Sequence, residues 1–199
     1  MTRLGSFLYL RISKDAKDER FDDIKRCRFA FAGMWTTQAA WVSLIQVPVL
    51  LINSRVDTTP IGPVDYISLV LWVLAFLIEA KADNEKFVFR SKPENRKKFI
   101  TDGIWSLSRH PNYFGEILMW ASIALCVTFT QEVDGKASVY YSWISPAFTA
   151  FLLLFVSGIP LVEKHGEEKW GHLEEYQHYM KNTSCLFIWF PAKPFNKVA

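Results

Sequence analysis

Cysteine is scarce in this chain: Cys27, Cys126 and Cys185 are the three present, and none belongs to a CxxC pair. That argues against a disulfide framework and offers no zinc-ligand spacing, so free thiols and no metal site are expected. No GxGxxG and no GxxxxGK occurs. A bound nucleotide would therefore be held by neither a Rossmann turn nor a P-loop. Internal repeats and low-complexity stretches are also missing. The start of the chain has one short apolar patch, residues 7–10, too brief for the core of a cleavable signal peptide.

The most informative lack is one of charge, and it is local. Charged residues make up an ordinary 22% of the 199 residues, and the net charge is +3, but they are segregated. Four stretches are nearly free of them: FAFAGMWTTQAAWVSLIQVPVLLIN (29–53), DYISLVLWVLAFLIEA (65–80), residues 114–129, and WISPAFTAFLLLFVSGIPLV (143–162). A membrane span needs roughly 20 mostly apolar residues. Aromatic residues gather at the segment ends, as an interfacial belt would require. The expected fold class is therefore all-α, a polytopic membrane bundle of about four transmembrane helices plus a C-terminal amphipathic helix. The whole chain, 1–199, reads as one membrane domain with spans near 29–53, 64–80, 112–130 and 143–162. Gly158-Ile159-Pro160 is expected to end the fourth.

The connecting segments alternate in charge. Arg3, Arg11, Lys14, Lys17, Arg20, Lys25, Arg26 and Arg28 precede the first span, and Lys81 through Arg109 supply a second basic segment. Lys164, Lys169, Lys181, Lys193 and Lys197 follow the fourth, whereas the other two connections contain Arg55 and Lys136. By the positive-inside rule both termini face the cytoplasm. The sequon Asn182-Thr183-Ser184 would then lie on the unglycosylated side.

Several polar groups sit where a solvated loop alone would not need them. Glu79, Asp83, Lys86 and Arg90 are spaced 4, 3 and 4 apart and share one face if the second span continues as a helix. The bland reading is a solvated helix end. A carboxylate as deep as Glu79, however, usually has a partner or lines a wet cavity. Arg96, Lys97, Lys98, Arg109 and His110 are interleaved with aromatics and with Asn112 and Tyr113. That mixture suits a phosphate-bearing planar ligand, since Arg and Lys bind phosphate and aromatic rings stack. In WSLSRHPNYFGE (105–116), Pro111 fits a first helical turn. Asn112 and Glu116 would then face one pocket, with Glu116 at its inner edge. The stretch 163–184 reads as one amphipathic helix bearing a stripe of Glu163, Glu167, Trp170 and Glu174.

WSLSRHPNYFGE, LFVSGIP (154–160) and EEYQHYMKNTS (174–184), with RFDDIKR (20–26) and IEAKADNEKFVFR (78–90), resemble signatures of the steroid 5-alpha-reductase-like membrane family, in its branch with the RHPNYFGE signature. The resemblance runs from about residue 4 to 191. It implies a seven-helix membrane fold that binds NADPH in a cytoplasm-facing cavity at the endoplasmic reticulum. It also implies hydride delivery to a steroid-like or lipid-like enone, with a lipid-like small molecule as substrate and no nucleic-acid partner. By motif, Glu79, Asp83 and Arg90 match a cofactor-contacting stretch, and so does Tyr176. Arg109, His110, Asn112, Tyr113 and Glu116 match the stretch touching cofactor and pocket. Lys98 joins Arg90 and Arg109 as a phosphate holder, and Glu116 and Tyr113 are the catalytic candidates. Glu79 stands where the steroid reductases have Asn. About two further spans, carrying the Glu/Tyr pair that polarises the substrate ketone, precede the matching region in the family, and the sequence begins after them. The isoprenylcysteine and phospholipid methyltransferases share part of the pattern and bind S-adenosylmethionine. A non-catalytic member is the third reading.

Overall fold

A computed structural model describes Gly5, Tyr9 and residues 27–54, 60–130 and 137–191, and all regular structure among the described residues is helical. The basic residues before Cys27, together with Arg55, Lys136, Lys193 and Lys197, lie outside them. The helices are α1 (Arg28–Ile45), α2 (Val47–Asn53), α3 (Pro63–Ser91), α4 (Pro111–Thr130), α5 (Ile144–Phe151), α6 (Ile159–Trp170) and α7 (Glu174–Asn182). Three helical runs, Pro63–Ser91, Pro111–Phe129 and Tyr140–Trp170, are long and apolar enough to cross a membrane, and α1 with α2 makes a fourth if taken as one span. The protein is thus an all-α membrane bundle.

The chain divides into two units, Met1–Ser43 and Leu44–Ala199. In the first, the hydroxyls of Thr36 and Thr37 donate to the carbonyls of Ala32 and Gly33, each at 2.9 Å. Such back-bonding hides polar groups that hydrocarbon cannot solvate.

The expected span 29–53 is interrupted at Gln46. Pro48 occupies the first turn of α2 and lacks the N–H that would continue the helical ladder. The helix that carries the expected span 64–80 runs on past it. No Gly or Pro intervenes until Pro93, so α3 continues through the polar residues 81–91. At its start the Asp65 carboxylate accepts the Gly62 N–H at 2.7 Å and the Cys126 thiol at 3.2 Å, which ties α3 to α4. About a tenth of the most apolar part of α3 is buried, and Tyr66, Val70, Val73 and Leu77 stand exposed, as lipid-facing residues would.

α4 starts at Pro111, where the sequence places the third span. It packs mainly on α3. Gly115 makes the crossing close: a Cβ there would lie 2.8 Å from the Ala75 carbonyl oxygen and 2.9 Å from the Glu79 Cβ.

Two expectations for the last third need correction. Gly158-Ile159-Pro160 does not end the helical run. A π turn (Leu152–Val156) closes with Ser157 N–H donating to Leu152 O at 2.8 Å, and α6 restarts at Ile159 with Pro160 in its first turn. Residues 163–184 are not one amphipathic helix either. The chain turns at Gly171–Leu173, where Leu173 N–H donates to Trp170 O, so Glu174 belongs to a separate helix.

Candidate functional site

The residues between α3 and α4 form a short strap held from several directions. Gly103 has φ 62°, a left-handed conformation that suits glycine. The adjacent Ile104 N–H donates to Glu85 Oε2 of α3 at 2.9 Å. Trp105 is buried and donates its indole N–H to the Ala82 carbonyl at 3.0 Å. Ala82, Ile104 and Trp105 form a small core under the strap.

The C-terminal segment is stitched to the same strap. Arg109 N–H donates to Ser184 O at 2.8 Å, Ser108 Oγ to Leu186 O at 2.8 Å, and Trp189 N–H to Leu107 O at 3.2 Å. The Tyr179 hydroxyl of α7 donates to Trp105 O at 2.8 Å, and the Trp170 indole of α6 to Lys97 O at 2.7 Å. Phe99 sits among these rings, 5.1 Å from Tyr176 and 5.9 Å from Trp170 and from Tyr179.

These contacts line an open cavity with a free volume of about 100 Å³. Lys86, Arg90, Lys98 and Arg109 supply positive charge to its walls, and Phe99, Trp105, Trp170 and Tyr176 supply rings. Lys86 Nζ lies 4.5 Å from the centre of the Trp105 ring. Among the described residues Glu163, from α6, is the one carboxylate on the lining. Its Oε1 is 3.2 Å from Arg109 Nη1 and 2.9 Å from His110 Nε2. Arg109 also points Nη1 at Met180 Sδ, 3.3 Å away, while its Nε is buried without a hydrogen-bond partner. A wider depression adjoins the cavity, sharing Phe89, Lys98, Phe99 and Tyr179 with it.

Burial governs the titration of this region. It pushes the His110 imidazole below its ordinary range, against the opposing hydrogen bond from Glu163. It raises Tyr176, with Glu167 and Glu163 adding to the effect, and it raises Tyr179 strongly. All three are therefore neutral near pH 7. The Tyr176 hydroxyl lies so close to Gly166 of α6 that any Cβ there would strike it.

The site residues foreseen from sequence fall into two groups. Arg90, Lys98, Arg109, His110 and Tyr176 line the cavity. Glu79, Asp83, Asn112, Tyr113 and Glu116 are not among the side chains that border it. Tyr113 stacks on His110 at 5.3 Å between ring centres. Tyr113 and Glu116 of α4 lie within electrostatic reach of Asp83 of α3. Glu79 abuts Gly115 at the helix crossing. The sharing of one helical face by Glu79, Asp83, Lys86 and Arg90 holds. The 1.5 Å rise per residue nevertheless puts Glu79 roughly 16 Å along the axis from Arg90, far enough for two different neighbourhoods. Sequence reasoning missed Tyr179, Phe99 and the partnership of Glu163 with His110. Tyr179 was legible as the i+3 neighbour of Tyr176, but the Glu163 contact, spanning 53 residues, carries no local signal.

The helices and this basic, aromatic cavity define an integral membrane protein with a small open cleft formed by residues flanking its spans. The chain matches the family described as "Protein of unknown function (DUF1295)" over residues 1–183 and belongs to it. No curated protein and no solved structure matches.

Proposed function

We propose that the protein is a membrane-embedded oxidoreductase of steroid 5-alpha-reductase type, which uses NADPH to reduce a carbon–carbon double bond of a steroid-like or lipid-like enone. The observation that carries this reading is the convergence of Arg90, Lys98 and Arg109 with Phe99, Trp170 and Tyr176 around one cavity. Several cations beside several rings suit a ligand with both phosphates and planar bases. The buried, unpaired Nε of Arg109 offers one more donor to an anionic oxygen. The adjoining depression extends the binding surface beyond Phe99, which suits a dinucleotide better than a single nucleoside.

Bound NADPH would supply the hydride. The chain's own residues would bind and orient. Arg90, Lys98 and Arg109 would hold phosphates, and Phe99, Trp170 and Tyr176 would flank a ring. Neutral Tyr176 and Tyr179 are hydroxyl donors, and Tyr179 already spends its proton on Trp105 O. Glu116 and Tyr113 of α4, within electrostatic reach of Asp83, would hold a proton at a second polar group. The segregation of basic segments supports cytoplasmic termini, and the reductase reading suggests the endoplasmic reticulum.

S-adenosylmethionine binding is the competing reading, and it fits the lining less well. That ligand has no phosphate and is cationic at sulfur, whereas the described lining offers Lys86, Arg90, Lys98 and Arg109 against the single carboxylate of Glu163. A thermal-shift series on the detergent-solubilised chain with NADPH, NADH and S-adenosylmethionine separates them. A ligand at 100 times its Kd stabilises by about 2.7 kcal/mol. A shift with NADPH is the expected result. A shift with S-adenosylmethionine alone would replace this reading by the methyltransferase one.

A further inference from the structure

Beside the cavity, where His110 and Glu163 line its wall, three ligand types meet that are far apart in sequence. His110, Glu163 and Cys185 each bring one donor atom, and these atoms all lie within 4.8 Å of one another. Nitrogen, carboxylate oxygen and sulfur together suit a borderline-soft divalent ion such as zinc.

The cluster is built from three separate pieces of backbone. His110 precedes α4, is 4% exposed and has its own N–H held by Ser108 Oγ at 3.2 Å. Glu163 stands on α6, its Oε1 already 2.9 Å from His110 Nε2. Cys185 is fixed from both sides in sequence: Ser184 O accepts from Arg109 N–H and Leu186 O accepts from Ser108 Oγ. The thiol thus has a defined position beside the imidazole. It is also a free, half-buried thiol. Arg109 contacts the same Glu163 oxygen and would remain as the outer partner that orients the carboxylate.

We infer that His110, Glu163 and Cys185 form a zinc site with three protein ligands and a fourth position open towards the cavity. The inference does not rest on the proposed reductase activity. Binding would release the Cys185 proton to solvent and leave His110 with its ring proton on Nδ1, freeing Nε2 for the metal. Three protein ligands plus a water or anion is the arrangement of zinc sites that handle small ligands, whereas purely structural sites are closed by four. His110 and Glu163 both border the cavity, so the open position faces whatever occupies it. The ion would also clip the start of α4, the middle of α6 and the C-terminal segment together.

The test uses the full chain, purified in detergent without a polyhistidine tag. Zinc content is measured after dialysis. Cobalt is then substituted, and the absorption spectrum is read for a sulfur-to-cobalt charge-transfer band. The expected result is about one metal per chain, with the band lost in Cys185→Ser and kept in Cys126→Ser. A chelator should lower the melting temperature of the wild type but not that of Cys185→Ser. A wild-type chain that retains no stoichiometric metal and shows no such band would overturn the inference, as would a band that survives Cys185→Ser. Because the wild-type spectrum is decisive alone, a poorly folding variant does not blunt the test. NADPH binding is scored separately, so either reading can fail without the other.

Discussion

Replacing Gly115 by alanine tests the α3–α4 crossing on which the deeper polar group depends. The added methyl would sit 2.8 Å from the Ala75 carbonyl oxygen, 2.9 Å from Glu79 Cβ and 3.0 Å from Glu79 N. Two of those three atoms are backbone, and the third is bonded directly to it, so no flexible side-chain end can swing aside. Overpacking of this kind costs roughly 1–3 kcal/mol. Alanine regains up to about 1 kcal/mol of helix propensity over glycine. The net loss should therefore be at most about 2 kcal/mol, which corresponds to a fall of up to roughly 8 °C in melting temperature for a chain of this size. Thermal unfolding in detergent measures it, and Gly115→Leu should be worse in the same assay. Because Glu79 is one of the displaced neighbours, the separation of α3 from α4 should also loosen the group formed by Asp83, Tyr113 and Glu116. A Gly115→Ala chain that melts at or above the wild-type temperature would refute the close backbone approach.

Arg109→Ala should weaken NADPH binding far more than NADH binding in equilibrium titrations; equal losses would remove the 2′-phosphate from the role of Arg109. Tyr179→Phe leaves the Trp105 carbonyl without its 2.8 Å donor, and a loss of about 0.5–1.5 kcal/mol is expected by thermal or denaturant unfolding. Gly103→Ala meets both a positive φ and the Glu85 carboxylate, so it should cost at least ~1 kcal/mol. It should also increase hydrogen exchange at the Ile104 amide; unchanged exchange would count against the anchor. In metal-depleted protein, stability should decline as pH falls below about 6.5. The unfolded chain then protonates its histidine before buried His110 does, because the folded value is depressed. Lys86 and Arg109 oppose His110 protonation and Glu163 favours it. His110→Gln should flatten that part of the profile, and a gain in stability on acidification would contradict the assignment.

What the sequence makes legible here is what has a short period. The start of α4 at Pro111 could be read from one proline beside an apolar run, and the one-face placement of Asp83, Lys86 and Arg90 from their spacing. The polar second half of α3 was harder, since hydropathy falls at residue 81 while helix propensity does not. The breaks at Gln46, Ser157–Gly158 and Gly171 follow local backbone geometry, in which a single Pro or Gly decides between a kink and an end. Arg109 and Tyr176 are recognisable from motif resemblance, yet the Glu163 and Cys185 contacts to His110 are tertiary, joining segments that no spacing rule connects. Asn112 and Glu116 were expected on the same pocket wall as Arg109. Both lie in the first turns of α4, which begins directly after His110, and neither borders the cavity; Glu116 is instead within electrostatic reach of Asp83 on α3.

The stitching of residues 184–189 onto 107–109 bears on how the protein is made. Each span can enter a bilayer as soon as it has been synthesised, since an isolated helix satisfies its own backbone. The cleft has no such independence. One wall, residues 86–110, is translated before the third span and the other, residues 162–180, from the end of the fourth onwards, and the last links between the two segments are formed by residues 184–189. Membrane insertion and completion of the binding site are therefore separate events in time. A nascent chain halted before Ser184 would carry all the described helices able to span and still lack the last of these links.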